Sequence, residues 1–200
     1  MSLSKTECYE IIHNSGMLEN IIYHSFKVSH LAEIITEYLI NAGIDIDPFC
    51  INISALLHDI TKTRSLNTKE LHAETGSLFL TELGYRKEAD IVRQHVTLDS
   101  YIFTGSPTAE EIVNYSDKRV LHDEVVHLEK RMAYIMERYG DSEEKNKKIK
   151  IGWENTRRLE AKIFKFLPFK PSELIAKTGN DGSAEYFEYI AKRDAYCSNY

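Results

Sequence analysis

Eight histidines are spread through the 200 residues, at positions 13, 24, 30, 58, 72, 95, 122 and 127. What chemistry they could do depends on which of them face inward beside carboxylates. His58 and Asp59 adjoin at the end of FCINISALLHDI, a run that is apolar on nearly every face. An ionised Asp in such a place costs several kcal/mol unless it is paired or bound to a cation. His24 leads into an apolar stripe, His72 lies near the start of a later helical pattern, His95 ends another, and Asp117 sits in the context IVNYSD. Neutral imidazole with carboxylate suits divalent ions such as Fe, Mn, Co, Ni or Zn, and one carboxylate can bridge two of them.

Residues so far apart meet only if helices pack around a shared pocket, as bundle cores build metal sites. The pattern supports this. Ile21, Ile22, Phe26, Leu31, Ile34, Ile35, Tyr38 and Leu39 predict a helix over 19–41, stopped at Asn41-Ala42-Gly43. Phe49 to about Ile60 reads as a central helix, Lys69–Leu83 and Lys87 to about His95 as two more, and 110–139 as one long helix or two. No strand alternation stands out, so the class is all-α. The segment 141–170 holds nine Lys and Arg against five Asp and Glu, which reads as a solvated basic face, with a rim that attracts phosphate-bearing ligands as the sharper alternative. After it comes a turn-rich tail with a short helical pattern, SAEYFEYIAKRDAY.

Composition narrows the classes. A 42% hydrophobic, 28% charged chain with nine Gly and four Pro folds without staples, so a metal would be there for chemistry. Cys8, Cys50 and Cys197 are odd in number and lack C-x-x-C spacing, which fits a reducing cytoplasm better than a disulfide framework. No basic-then-apolar leader and no long apolar run appears, so secretion and a membrane span are not expected. The net charge of -6 disfavours general nucleic-acid binding.

The strings HSFKVSHLAEII, ALLHDITK, HAETGSLFL, RQHVTLD and NYSDKRV together resemble the HD-domain superfamily of metal-dependent phosphohydrolases. The resemblance covers about residues 20–140 and implies an HD-domain helical bundle with the metal site in its core. It divides the chain into a lead-in (1–18), the HD domain (19–140) and a C-terminal helical extension and tail (141–200). It maps the defining His, His-Asp pair and distal Asp onto His24, His58, Asp59 and Asp117. His72 and His95 stand where two-metal members add histidines, with Asp59 bridging. The implied cofactors are two divalent ions, from Fe, Mn, Co, Ni or Mg. The implied reaction cleaves a phosphomonoester or phosphoanhydride of a small phosphorylated metabolite, a nucleotide above all, through a metal-bound hydroxide. Asp59 and Lys62 are its catalytic candidates, and Lys62, after HDIT, is also expected on a substrate phosphate. Arg64 and Arg119 are weaker candidates, and His13, His30, His122 and His127 read as structural or surface residues.

Two departures bear on substrate. Thr61 stands in place of the glycine of HDIG, which is expected either to narrow the loop or to add a hydroxyl near the phosphate. The HAETG segment is similar to that of bacterial symmetrical diadenosine tetraphosphate hydrolases, yet HVTLD and SDKRVLHD differ from that branch's later motifs. A non-hydrolytic metal- or nucleotide-binding regulatory protein on the same fold is the main rival reading. Oxidative chemistry at a di-iron site is a third.

Overall fold

Ser4 begins the first helix with a reciprocal cap: its side chain accepts from the Glu7 N–H, and the Glu7 carboxylate accepts from the Ser4 N–H at 2.8 Å. The computed structural model describes residues 3–179 and 184–196. Helix α1 (Lys5–Asn14) precedes α2 (Glu19–Asn41), which has the expected bounds. Asp47 caps α3 (Pro48–Leu57), where Pro48 occupies the first turn, a position that needs no N–H. Short α4 (Lys62–Thr68) ends at Lys69 in the left-handed region, φ 64°. Then come α5 (His72–Glu82), α6 (Arg86–Arg93) and α7 (Ala109–Arg119). Residues 120–125 form a hairpin, β1 (Val120–Leu121) against β2 (Glu124–Val125), before α8 (Leu128–Tyr139) and α9 (Glu143–Phe164). A 3-10 turn (Pro171–Glu173), α10 (Leu174–Thr178) and α11 (Ala184–Tyr196) follow. Helix makes up 71% of the described residues, so the class is all-α.

The segment 110–139, left open as one helix or two, is two helices with the hairpin between them. Two further differences are local. The helix expected from Lys69 starts at His72, and residues 62–68 are already helical. Seven residues are too few to show a 3.6-residue period.

Helix α3 is buried on both sides because it is apolar all round. Its Ile51 and Ala55 join Val28, Leu31 and Ile35 of α2, Ile112 and Val113 of α7, and Leu159 and Ile163 of α9 in one core. Its Ile53, Leu56 and Leu57 join Tyr9 and Ile12 of α1, Phe26 of α2, Val92 of α6 and Tyr189 of α11 in another. Gly76 lets α5 approach closely: a Cβ there would lie 3.2 Å from Val92 Cγ1 and 3.4 Å from Ile60 Cγ2. Lys162 of α9 is buried on Glu111 of α7 at 2.6 Å, so one lysine of the basic segment faces inward. No helix among the described residues is long and apolar enough to cross a membrane.

Candidate metal centre

Helix α3 ends at Leu57, and the chain turns through His58 and Asp59, both fully buried. Around Asp59 the fold gathers the other candidates: His24 from the first turns of α2, His72 from the start of α5, His95 just past α6, and Asp117 near the end of α7. His24 Nε2 lies 3.1 Å from Asp117 Oδ1 and 4.0 Å from Asp59 Oδ2. His58 Nε2 lies 3.3 Å from Asp59 Oδ2 and 3.7 Å from Asp117 Oδ1. On the other oxygen of Asp59, His72 Nε2 stands at 3.3 Å and His95 Nε2 at 3.5 Å, with 3.1 Å between the two ring nitrogens. All six residues therefore converge. They form two candidate triplets that share Asp59, His24–His58–Asp59 and Asp59–His72–His95, with donor atoms of each triplet within 4.8 Å of one another.

The backbone decides which nitrogens face inward. Nδ1 of His24, His58 and His95 meets the carbonyl oxygens of His122 (2.8 Å), Ala55 (2.7 Å) and Val92 (2.6 Å). A carbonyl only accepts, so each Nδ1 donates its proton and, in the neutral ring, Nε2 keeps a lone pair turned toward the carboxylates. Acceptors thus face acceptors, and His58 Nε2 and Asp59 Oδ1 are buried with no hydrogen-bond partner among the described residues. That arrangement calls for a cation between them. A proton is a poor choice at His72, whose pKa burial pulls down to about 4. The donor set of imidazole nitrogens and carboxylate oxygens fits a divalent transition ion on each side of Asp59.

Burial opposes ionisation of both aspartates, yet their surroundings hold them charged. The Lys62 charge beside Asp59 and the Arg131 charge beside Asp117 favour the ionised forms, and both carboxyls lie well below the usual range. Lys62 Nζ donates to Asp59 Oδ2 at 2.6 Å. Burial works against its charge too, but Asp59 and Asp117 raise its pKa.

Thr61 has a structural part to play at the start of α5. Its hydroxyl donates to the His72 carbonyl at 2.9 Å and meets the Thr75 hydroxyl at 2.7 Å, so it fixes the start of α5 and with it His72. Arg119, a weaker candidate in sequence, is a fully buried structural residue bonded to Val126, Tyr115, Glu160 and Pro171. Arg64 pairs with Glu70 at 3.0 Å, and the His30 ring meets the Thr178 carbonyl at 3.3 Å.

Three residues went unread in sequence. Asn114 Nδ2 donates to the carbonyls of Gln94 (2.9 Å) and His95 (3.0 Å), while Lys118 Nζ donates to those of His95 (3.0 Å) and Val96 (3.1 Å). Together they anchor the turn that presents His95, and desolvation lowers the Lys118 pKa to about 8. The i, i+4 spacing of these two residues on α7 was the available signal. The third is Arg131, whose Nη2 comes within 4.0 Å of Asp117 Oδ1. No local pattern marks it, because the hairpin intervenes.

The chain is 30% identical over 135 residues to an uncharacterised protein of Methanocaldococcus jannaschii, a match spanning 58% of this chain and 79% of that one. No solved structure matches at a significant level. The HD domain family matches residues 21–139, which take in the whole His and Asp constellation. With a helical bundle folded around that constellation and a family match over more than half its length, the chain belongs to the HD domain family.

Proposed function

We propose that the protein is a metal-dependent phosphohydrolase that cleaves a phosphomonoester or phosphoanhydride of a small metabolite, with a nucleotide as the leading class. One observation carries the reading: two inward-facing donor sets share the buried carboxylate of Asp59, with a lysine ammonium on that same carboxylate. His24, His58 and Asp117 would hold one divalent ion, His72 and His95 the other, and Asp59 both. Bound divalent ions supply Lewis acidity and lower the pKa of water at the centre. In the reaction, water oxygen bonds to phosphorus as the bond from phosphorus to the leaving oxygen breaks, and a water proton ends on the leaving group. Lys62 contributes a positive charge at the phosphoryl oxygens when substrate displaces it from Asp59. The HD domain is assigned to 19–140, preceded by a lead-in over 1–18 and followed by a helical extension over 141–200. The buried free thiols of Cys8 and Cys50 suit the cytoplasm.

A second reading is favoured by the same contact. Lys62 neutralises Asp59 at 2.6 Å, which suits a non-hydrolytic metal- or nucleotide-binding regulator. Phosphate release from nucleotides, dinucleoside polyphosphates and sugar phosphates, with Mn, Fe, Co, Ni or Mg added, separates the two. Turnover that vanishes in Asp59→Ala supports the hydrolase. Tight binding of an unhydrolysed nucleotide by fully metallated protein supports the regulator.

A further inference from the structure

Two arginines lie close to the end of α7, the fully buried Arg119 and the partly buried Arg131 of α8, and they are satisfied very differently. Arg119 gives its Nε to Val126 at 2.7 Å, one Nη to Glu160 at 3.0 Å and the other to the Pro171 carbonyl at 3.3 Å. Such saturation is what a structural arginine requires, since each buried donor left idle costs about 1–3 kcal/mol. Arg131 has nothing comparable. Its Nε is buried with no hydrogen-bond partner among the described residues, and its nearest anion, Asp117 Oδ1, lies at 4.0 Å, beyond hydrogen-bond reach.

The side chain is nonetheless held in place. It is 16% exposed, and its guanidinium carbon sits over the Tyr134 ring, 5.9 Å from the centroid. Tyr134 is in turn met edge-on by the His122 ring at 5.2 Å. The hairpin that supplies the His122 carbonyl to His24 therefore also braces the arginine.

Charge at the centre gives this placement a meaning. Asp59 and Asp117 carry two negative charges, and Lys62 and Arg131 already balance them. Any divalent ion on the carboxylates leaves the pocket strongly positive, with Arg131 beside a cation it repels. An incoming anion of high charge removes that conflict and gives the idle Nε an acceptor. A guanidinium fork matches two oxygens of a phosphoryl group in one plane.

We propose that Arg131 is a substrate-binding residue that grips the non-bridging oxygens of a terminal phosphoryl group, working with Lys62 so that the site selects a dianionic phosphate over the single charge of a phosphodiester. The inference rests on the phosphohydrolase reading and deepens it by naming the charge class of the substrate.

Calorimetry on the full-length, Mn-loaded protein tests it without any need to know the natural substrate. Inorganic phosphate and dimethyl phosphate are titrated into wild type, Arg131→Gln and Arg131→Lys, with bound Mn counted in each. The expected result is phosphate binding that weakens by about tenfold to a hundredfold in Arg131→Gln and recovers in part in Arg131→Lys. Bound Mn stays unchanged, and wild type prefers phosphate to dimethyl phosphate. Wild-type affinity for phosphate in Arg131→Gln overturns the proposal. So does a loss of Mn matching the loss of phosphate, which would make the arginine a structural partner of Asp117. Wild type that binds phosphate through Arg131 yet hydrolyses no phosphomonoester overturns the hydrolase reading alone.

Discussion

At the scale of single residues, the question is why an ammonium lies on a carboxylate that metal chemistry would also claim. Lys62 Nζ holds Asp59 Oδ2 at 2.6 Å, and the same oxygen faces His58 Nε2 at 3.3 Å. If the lysine then serves developing phosphoryl charge, Lys62→Ala lowers kcat by about a hundredfold while metal content holds. Steady-state kinetics beside metal analysis checks this, and unchanged kcat would return Lys62 to a mere surface partner. The His58-Asp59 pair was legible in sequence because both residues end one uniformly apolar run, where a charge must have a reason. Arg131 was not legible: thirteen residues, the hairpin among them, separate it from Asp117. Its role rests on an unfilled hydrogen-bond capacity that only coordinates reveal.

At the scale of elements, two small devices set the ligand geometry. Thr61 ties the His72 carbonyl to the turn after α3. Thr61→Val keeps the shape but removes the hydroxyl, and the metal bound on the His72–His95 side should weaken by about 10–100-fold. Metal titration reads this, with Thr61→Ser as the variant that restores binding. An unaltered titration in Thr61→Val would show that α5 needs no such tie. The second device is the hairpin, where His122 takes φ 56° in the left-handed region that favours glycine. His122→Gly relieves about 1–2 kcal/mol of strain and keeps the carbonyl that orients His24. Thermal unfolding should therefore show equal or higher stability, and a clear loss would mean that the ring against Tyr134 outweighs the strain. Long α2 was readable because many turns repeat its apolar stripe. Helix α4 and the hairpin were not, being shorter than any period that could announce them.

At the scale of the whole molecule, cores on both sides of α3 bring distant histidines to one point, and metal binding should feed back on the fold. At a hundred times its Kd a bound ion adds about 2.7 kcal/mol, or roughly 5–10 °C in Tm for a chain of this size. Mn-loaded protein should melt that much above chelated protein, and no difference would argue against a preformed centre. The basic segment 141–170 shows composition as a guide with one exception: Lys145, Lys148 and Arg157 are exposed, as a solvated face requires, while Lys162 is buried on Glu111 and helps seat α9 on the core. The central claim is tested most directly by phosphate release measured as metal is added back to stripped protein. The account predicts turnover of a phosphorylated metabolite that rises with added metal, levels off near two equivalents per chain and is absent in Asp59→Ala. Metal that binds fully while every phosphorylated compound survives intact would contradict it.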